Sequence, residues 1–196
     1  VDNLGPLISR PGHPEDVIPV SELQGTKIDS AFIGSCTNGR LEDLRLAAEI
    51  LKGKKVAPGV VLKIVPATDK IWEQALKEGL ISLFKEAGAL VGNAGCAGCA
   101  EGQIGQSGEG EVTVSTGNRN FTGKQGKGDV YLASPSTAAA SAVAGHITTA
   151  DNIPDKPSVF IALREKEKAK EEKRIELLQK PTKIQGRVWV INKDNV

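Results

Sequence analysis

The sequence predicts an α/β fold in three layers, a mostly parallel sheet with helices on both faces, followed by a charged helical linker. Three observations carry this expectation. Short apolar runs at 29–35, 60–65, 89–92, 111–115 and 130–133 alternate with segments in which apolar residues return every three or four positions, the pattern of repeated strand–helix units. The helical segments begin at residues able to cap them. The chain has 196 residues, 39% hydrophobic and 25% charged, enough for one packed α/β domain with appended segments.

The opening, residues 1–26, carries Pro6, Pro11, Pro14 and Pro19 with several glycines and reads as an extended connector. Residues 29–35 form the first strand, with Cys36 at its end. Thr37, Asn38 and Gly39 then make a turn, Asn38 serving as an N-cap. The helix from 40 to 52 places Leu41, Leu44, Ala48 and Leu51 on one face, with Glu42 and Asp43 in its first turn and Lys54 and Lys55 beyond its end, as the helix dipole favours. The strand 60–65 is followed by a helix capped at Thr68 or Asp69 and running to Glu78, then by a second helical stretch, 81–87. A strand at 89–92 leads to Cys96 and Cys99. The strand 111–115 runs into the loop TGNRNFTGKQGKG (116–128), and the strand 130–133 into a helix with Ser134 as cap, Pro135 at its first position and Gly145 at its end.

After Asn152 the composition changes. Residues 164–174 carry ten charges in eleven positions, a solvated linker helix spanning 153–182. Residues 183–196 read as the start of a further unit. The division is therefore connector 1–26, α/β domain 27–152, linker 153–182 and a new domain from 183. The chain begins at Val1 without methionine and contains none, as an excised piece would.

The totals exclude several classes. A formal net charge of +1 sets up no field for nucleic acid or an anionic membrane. The sequence contains no apolar run of membrane-spanning length and no signal-peptide pattern. Three cysteines do not make a disulfide scaffold and point to a reducing, cytoplasmic compartment. A mitochondrial matrix would serve equally in a eukaryote.

Open parallel sheets place ligands at the carboxyl ends of their strands. Cys36, the Cys96/Cys99 pair and the loop from Asn118 to Lys124 all follow strand ends, so the three features converge on one edge. Four readings of the thiols stand on residues alone. They are small buried hydrophobes, a redox dithiol, a zinc site needing a fourth ligand, or an iron–sulfur cluster. Three thiolates would leave one iron of a [4Fe–4S] cube without a protein ligand, free to act as a Lewis acid.

Four stretches resemble the aconitase family. IGSCTNGRLEDLR (33–45) is similar to its first signature and Gly95-Cys96-x-x-Cys99 to its second. Asn118-Arg119-Asn120-Phe121-Thr122-Gly123 resembles its substrate-binding loop, and YLASPSTAAASAVAG (131–145) the helix after it. KIQGRVWV (183–190) resembles the opening of the family's swivel domain, which makes the chain the third domain plus the linker to the fourth.

The resemblance implies an iron–sulfur hydro-lyase that isomerises hydroxy di- or tricarboxylic acids by dehydration and rehydration. Cys36, Cys96 and Cys99 match the ligands of a [4Fe–4S] cluster, Arg119 an arginine gripping a substrate carboxylate, and Asn118 an asparagine beside the cluster. Lys124 departs from the family's arginine, keeping charge but not the planar fork. The base that takes the substrate proton belongs to the swivel domain and its histidine and acidic partners to other domains, so the fragment alone is expected to be inactive, with the family's other domains as its partners. Ser35, Thr37 and Asn38 are expected to shape the first cysteine turn, and Glu101 to act near the cluster or merely be solvated. The Gly-Lys-Gln-Gly and YLASP stretches favour the 3-isopropylmalate/homoaconitate branch, with citrate-type aconitate hydratase as the alternative. Readings of another class are a cluster-dependent RNA-binding regulator and a zinc-stabilised interaction domain. Scarce aromatics and balanced charge weigh against RNA.

Overall fold

The computed structural model describes residues 5–159 and 186. Strand β1 (Leu7–Ser9) and β2 (Val17–Pro19) open the chain. They are followed by β3 (Ser30–Gly34), the single-turn helix α1 (Ser35–Asn38), α2 (Leu41–Leu51), β4 (Val61–Val65), α3 (Asp69–Lys77), α4 (Leu80–Ala87), β5 (Leu90–Val91), β6 (Val112–Ser115), β7 (Asp129–Ala133) and α5 (Pro135–Ala144). Among the described residues seven strands form one sheet in the order β2-β1-β7-β6-β3-β4-β5. From β7 to β5 every pairing is parallel, and β1 runs antiparallel to both β2 and β7. Parallel strands share an orientation, so the segments leaving β3, β4, β5 and β6 all emerge at one edge.

The helices start where local chemistry dictates. Thr68 Oγ1 accepts the Ile71 amide at 3.3 Å, and Ser134 Oγ accepts that of Thr137 at 3.2 Å, each satisfying an amide that the helix itself cannot. At α2 the cap is Arg40, whose amide donates to the Asp43 carboxylate at 3.1 Å. The expected cap, Asn38, is instead the last residue of α1 and points elsewhere, as described below. Gly145 ends α5 at φ 82°, a left-handed turn that favours glycine.

The sheet's two faces differ in chemistry. Ile8, Ala31, Ile33, Leu62, Ile64 and Val114 lie in one buried apolar cluster with residues from α2, α3, α4 and α5. The opposite face carries Phe32 and Val65, which pack on Ala97 in a cluster of their own, beside Ser30 and Thr113, whose buried hydroxyls share a hydrogen bond at 2.7 Å. The expected helices on both faces thus become, among the described residues, helices on one face and loops on the other. Strand alternation keeps the two sets of side chains apart, because residues i and i+1 point to opposite sides.

Part of the stretch 1–26, read as an extended connector, is sheet. Ile8 and Val20 are each 1% exposed, and the β1–β2 hairpin extends the sheet past β7. Pro6, Pro11 and Pro14 flank three-residue strands too short to show alternation, and Pro19 ends the second of them. The charged linker helix expected through 182 and the unit expected from 183 lie outside the described residues apart from 153–159, which follow a 3-10 turn at Ala150–Asn152 and contain no helix, and from Gly186.

Asp29, just before β3, offers a pH test. Its carboxylate accepts the Val112 amide at 3.0 Å and pairs with Lys27 at 2.7 Å. Burial pushes the carboxyl upward, but the Lys27 hydrogen bond, the Val112 amide and the Lys27 charge together hold it below its ordinary value. A lowered folded value stabilises above the unfolded pKa of about 3.9 and is lost as pH falls through the folded one. Asp29→Asn should therefore lower the urea midpoint at neutral pH and flatten its decline below about pH 4, read from denaturation curves across the acid range.

Candidate functional site

The first thiol sits on a turn held between two strand exits. Gly34 leaves β3 at φ 151°, and a Cβ there would lie 2.2 Å from the Val65 carbonyl oxygen, so only glycine fits. The Thr116 hydroxyl, at the exit of β6, accepts the Gly34 amide at 2.9 Å and donates to the Gly34 carbonyl at 3.3 Å. Asn38 Nδ2 donates to the Thr116 carbonyl at 2.6 Å. The Ala67 amide, from the exit of β4, donates to the Gly39 carbonyl at 2.9 Å. Ser35 is fully buried and its hydroxyl bonds that of Thr37 at 3.0 Å, a turn-shaping part. Cys36 projects from this scaffold, exposed.

The second turn forms after β5. The Gly95 amide donates to the Pro66 carbonyl at 3.1 Å, and the Cys99 amide to that of Cys96 at 3.3 Å, winding Ala97–Cys99 into a 3-10 turn. Side chains from the following loop hold it. Gln103 Oε1 accepts the Ala97 amide at 3.0 Å, and Gln106 Nε2 donates to the Gly98 carbonyl at 2.6 Å. Ala97 is the buried residue packed on Phe32 and Val65. Ser35 and Ala97 are the non-glycine residues with positive φ among the described residues, at 72° and 49°, and each adjoins a cysteine. Left-handed backbone costs an L-residue free energy that the surroundings must hold in place.

These two turns pack against one another, and the thiols share one neighbourhood. Cys96 is exposed and Cys99 half-buried, and all three cysteines are free. Partial desolvation, then Cys99 and Cys36, push the Cys96 thiol up, while Lys124 pulls the other way. Cys36, Cys99 and Lys124 therefore all act on Cys96. Among the described residues no three His, Cys, Asp or Glu side chains close around a single metal ion. His13 bonds Glu15 at 3.3 Å on the hairpin, and His146 pairs with Lys27, ahead of β3 and away from the strand exits. Among the described residues, therefore, the three thiols stand near one another without closing on one ion; three soft donors could hold a thiolate-ligated cluster with one position open, whereas a closed tetrahedral zinc needs a fourth ligand.

The third segment is the loop after β6. Asn118 and Arg119 are exposed and Lys124 is half-buried, its amide closing a turn on the Phe121 carbonyl at 2.9 Å. Asn120 points inward, its Nδ2 donating to the Arg10 and Val130 carbonyls at 2.8 and 2.7 Å, which pins the loop to the N-terminal hairpin and β7. Glu101 is exposed. Sequence reasoning gave no positioning role to Thr116, Asn120 or Gln125, although Asn120 and Gln125 stand in stretches it singled out. The available signal was polar residues set among glycines directly after a strand, where carbonyls and amides need partners.

A sequence model of the aconitase family (aconitate hydratase) matches residues 9–145. The chain is 53% identical over 150 residues to a 3-isopropylmalate dehydratase large subunit from Sulfurihydrogenibium sp., the match covering 76% of this chain and 35% of that one. It is 51% identical over 150 residues to the 3-isopropylmalate dehydratase large subunit 1 of Archaeoglobus fulgidus, covering 76% and 36%. To the homoaconitase large subunit of Thermus thermophilus it is 48% identical over 152 residues, again covering 76% and 36%. The chain therefore spans little more than a third of the length of these curated relatives.

Two outcomes test this geometry. Thr116→Val removes both hydroxyl bonds to Gly34 and should cost about 1–3 kcal/mol in denaturant unfolding. In metal-free protein the raised Cys96 pKa delays thiolate formation, so alkylation of Cys96 should accelerate at a higher pH than that of a free cysteine, followed by mass spectrometry of the modified peptide.

Proposed function

The chain belongs to the aconitase family, and on that footing we propose that its parent protein is a hydro-lyase of the 3-isopropylmalate/homoaconitate type. The observation that supports this reading is the contact between the Cys36 turn and the Cys96–Cys99 turn at the carboxyl edge of the parallel sheet. The relatives named above support the choice of branch over a citrate-type enzyme.

In this proposal Cys36, Cys96 and Cys99 would hold a [4Fe–4S] cluster, whose iron without a protein thiolate supplies a Lewis acid when the cluster is bound. Arg119, exposed on its loop, grips a substrate carboxylate with two parallel N–H donors. Lys124 adds a positive charge beside the thiols but, as a point charge, orients the carboxylate less. Asn118 donates a hydrogen bond at the same edge. The base that removes the substrate proton is assigned to the swivel domain, which residues 183–196 would open. That assignment, the linker 153–182 and the end of the α/β domain at 152 form part of the same proposal.

Since the relatives are named large subunits, the proposal includes a small subunit as partner and a hydroxy di- or tricarboxylic acid as substrate. Among the described residues no helix is long and apolar enough to cross a membrane. Free thiols suit a reducing cytoplasm.

Anaerobic reconstitution of the full-length protein with its small subunit tests the reading. About four irons and four sulfides per large subunit are expected, with loss of both in Cys36→Ser. Arg119→Gln should retain the cluster while raising KM for the hydroxy acid about tenfold to a hundredfold. A full complement of zinc without sulfide would sink the proposal.

A further inference from the structure

Gln125 is 2% exposed and among the largest fully buried side chains. An amide is costly to bury unless both its ends are bonded, and here both are. Its Oε1 accepts the Ser115 hydroxyl at 2.6 Å, and its Nε2 donates to the Arg119 carbonyl at 2.7 Å. The orientation is decided by the network. The Gly117 amide donates to Ser115 Oγ at 3.0 Å, so the Ser115 proton is free to turn to Gln125, whose oxygen must face Ser115 and whose nitrogen must face Arg119.

The same side chain abuts the thiol turn. A Cβ on Gly98, which lies between Cys96 and Cys99, would come within 3.4 Å of Gln125 Oε1, and one on Gly117 within 2.5 Å of Nε2. A second route runs through the backbone. The Gln125 carbonyl accepts both the amide and the hydroxyl of Ser107 at 2.8 Å, and the neighbouring Gln106 holds the Gly98 carbonyl.

We propose that Gln125 is a positioning residue that sets the Arg119 loop and the Cys96–Cys99 turn in one register, so that the carboxylate anchor and the thiol site keep a common geometry. That the register serves substrate binding rests on the role given to Arg119 above. The coupling itself rests on the hydrogen bonds.

Hydrogen exchange on the full-length protein decides it, comparing wild type with Gln125→Leu and Gln125→Glu. The first removes both bonds. The second keeps the shape and the acceptor for Ser115, but an ionised carboxylate cannot donate to the Arg119 carbonyl. Exchange should quicken about tenfold together in 96–99 and 117–124, with α2 and α5 unchanged. In Gln125→Glu the protection should return as pH falls and the carboxyl regains a proton to donate, an effect absent from Gln125→Leu. KM should rise more than kcat falls. Quickened exchange in only one segment, or in neither, overturns the proposal, as does loss of protection throughout the domain in both variants. A wild-type protein without cluster or turnover would sink the hydro-lyase reading, while the exchange comparison would still decide the coupling.

Discussion

Where β3 and β6 end side by side, their chains turn out of the sheet, and the backbone groups that a strand partner would satisfy must find others. The Thr116 hydroxyl meets this constraint by bonding both the amide and the carbonyl of Gly34. Asn38 then bonds the Thr116 carbonyl, and Gly34 can approach Val65 only because it lacks a Cβ. The direction in which Cys36 leaves the sheet follows from these bonds. Buried backbone groups go unpaired rarely, and each costs about 1–3 kcal/mol when they do, so the turn has few alternatives.

The division of labour between the sheet's faces extends the same logic. The face packed on four helices is apolar and supplies the core. The other holds hydroxyls and amides, Ser30 with Thr113 and Ser115 with Gln125, and Lys63, whose Nζ donates to the Gln106 carbonyl at 2.9 Å. Loops cannot cover a purely apolar face, since their own amides and carbonyls need partners. A face dotted with polar side chains provides them, and so the thiol turn and the Arg119 loop can lie on it as ordered structure.

Order of this kind is also what holds backbone in costly conformations. Ser35 and Ala97 adopt left-handed φ beside Cys36 and Cys96. Both are buried, Ser35 bonded to Thr37 and Ala97 packed on Phe32 and Val65. Such strain persists only where the surroundings over-determine it, and here it turns the thiols outward from a buried stem.

Local chemistry made the parallel core legible from residues alone. Periodicity over 40–52, the caps at Thr68 and Ser134, and the glycine after α5 are each set by neighbours within four positions, so a linear reading finds them. The convergence of the three cysteine-bearing and arginine-bearing segments was legible too, because parallel strands put all their exits at one edge. The β1–β2 hairpin was not, since its three-residue strands are stabilised by β7, some 120 positions away in sequence. Nor was the burial of Gln125, whose partners Ser115 and Arg119 are near in sequence, while the turn it abuts at Gly98 is brought there only by the sheet. Which thiols, cations and amides the chain offers was thus determined by sequence. Which of them stand together, and which buried amide holds them so, was decided by tertiary packing, because hydrogen bonds and van der Waals contact depend on distance in space and not on separation along the chain.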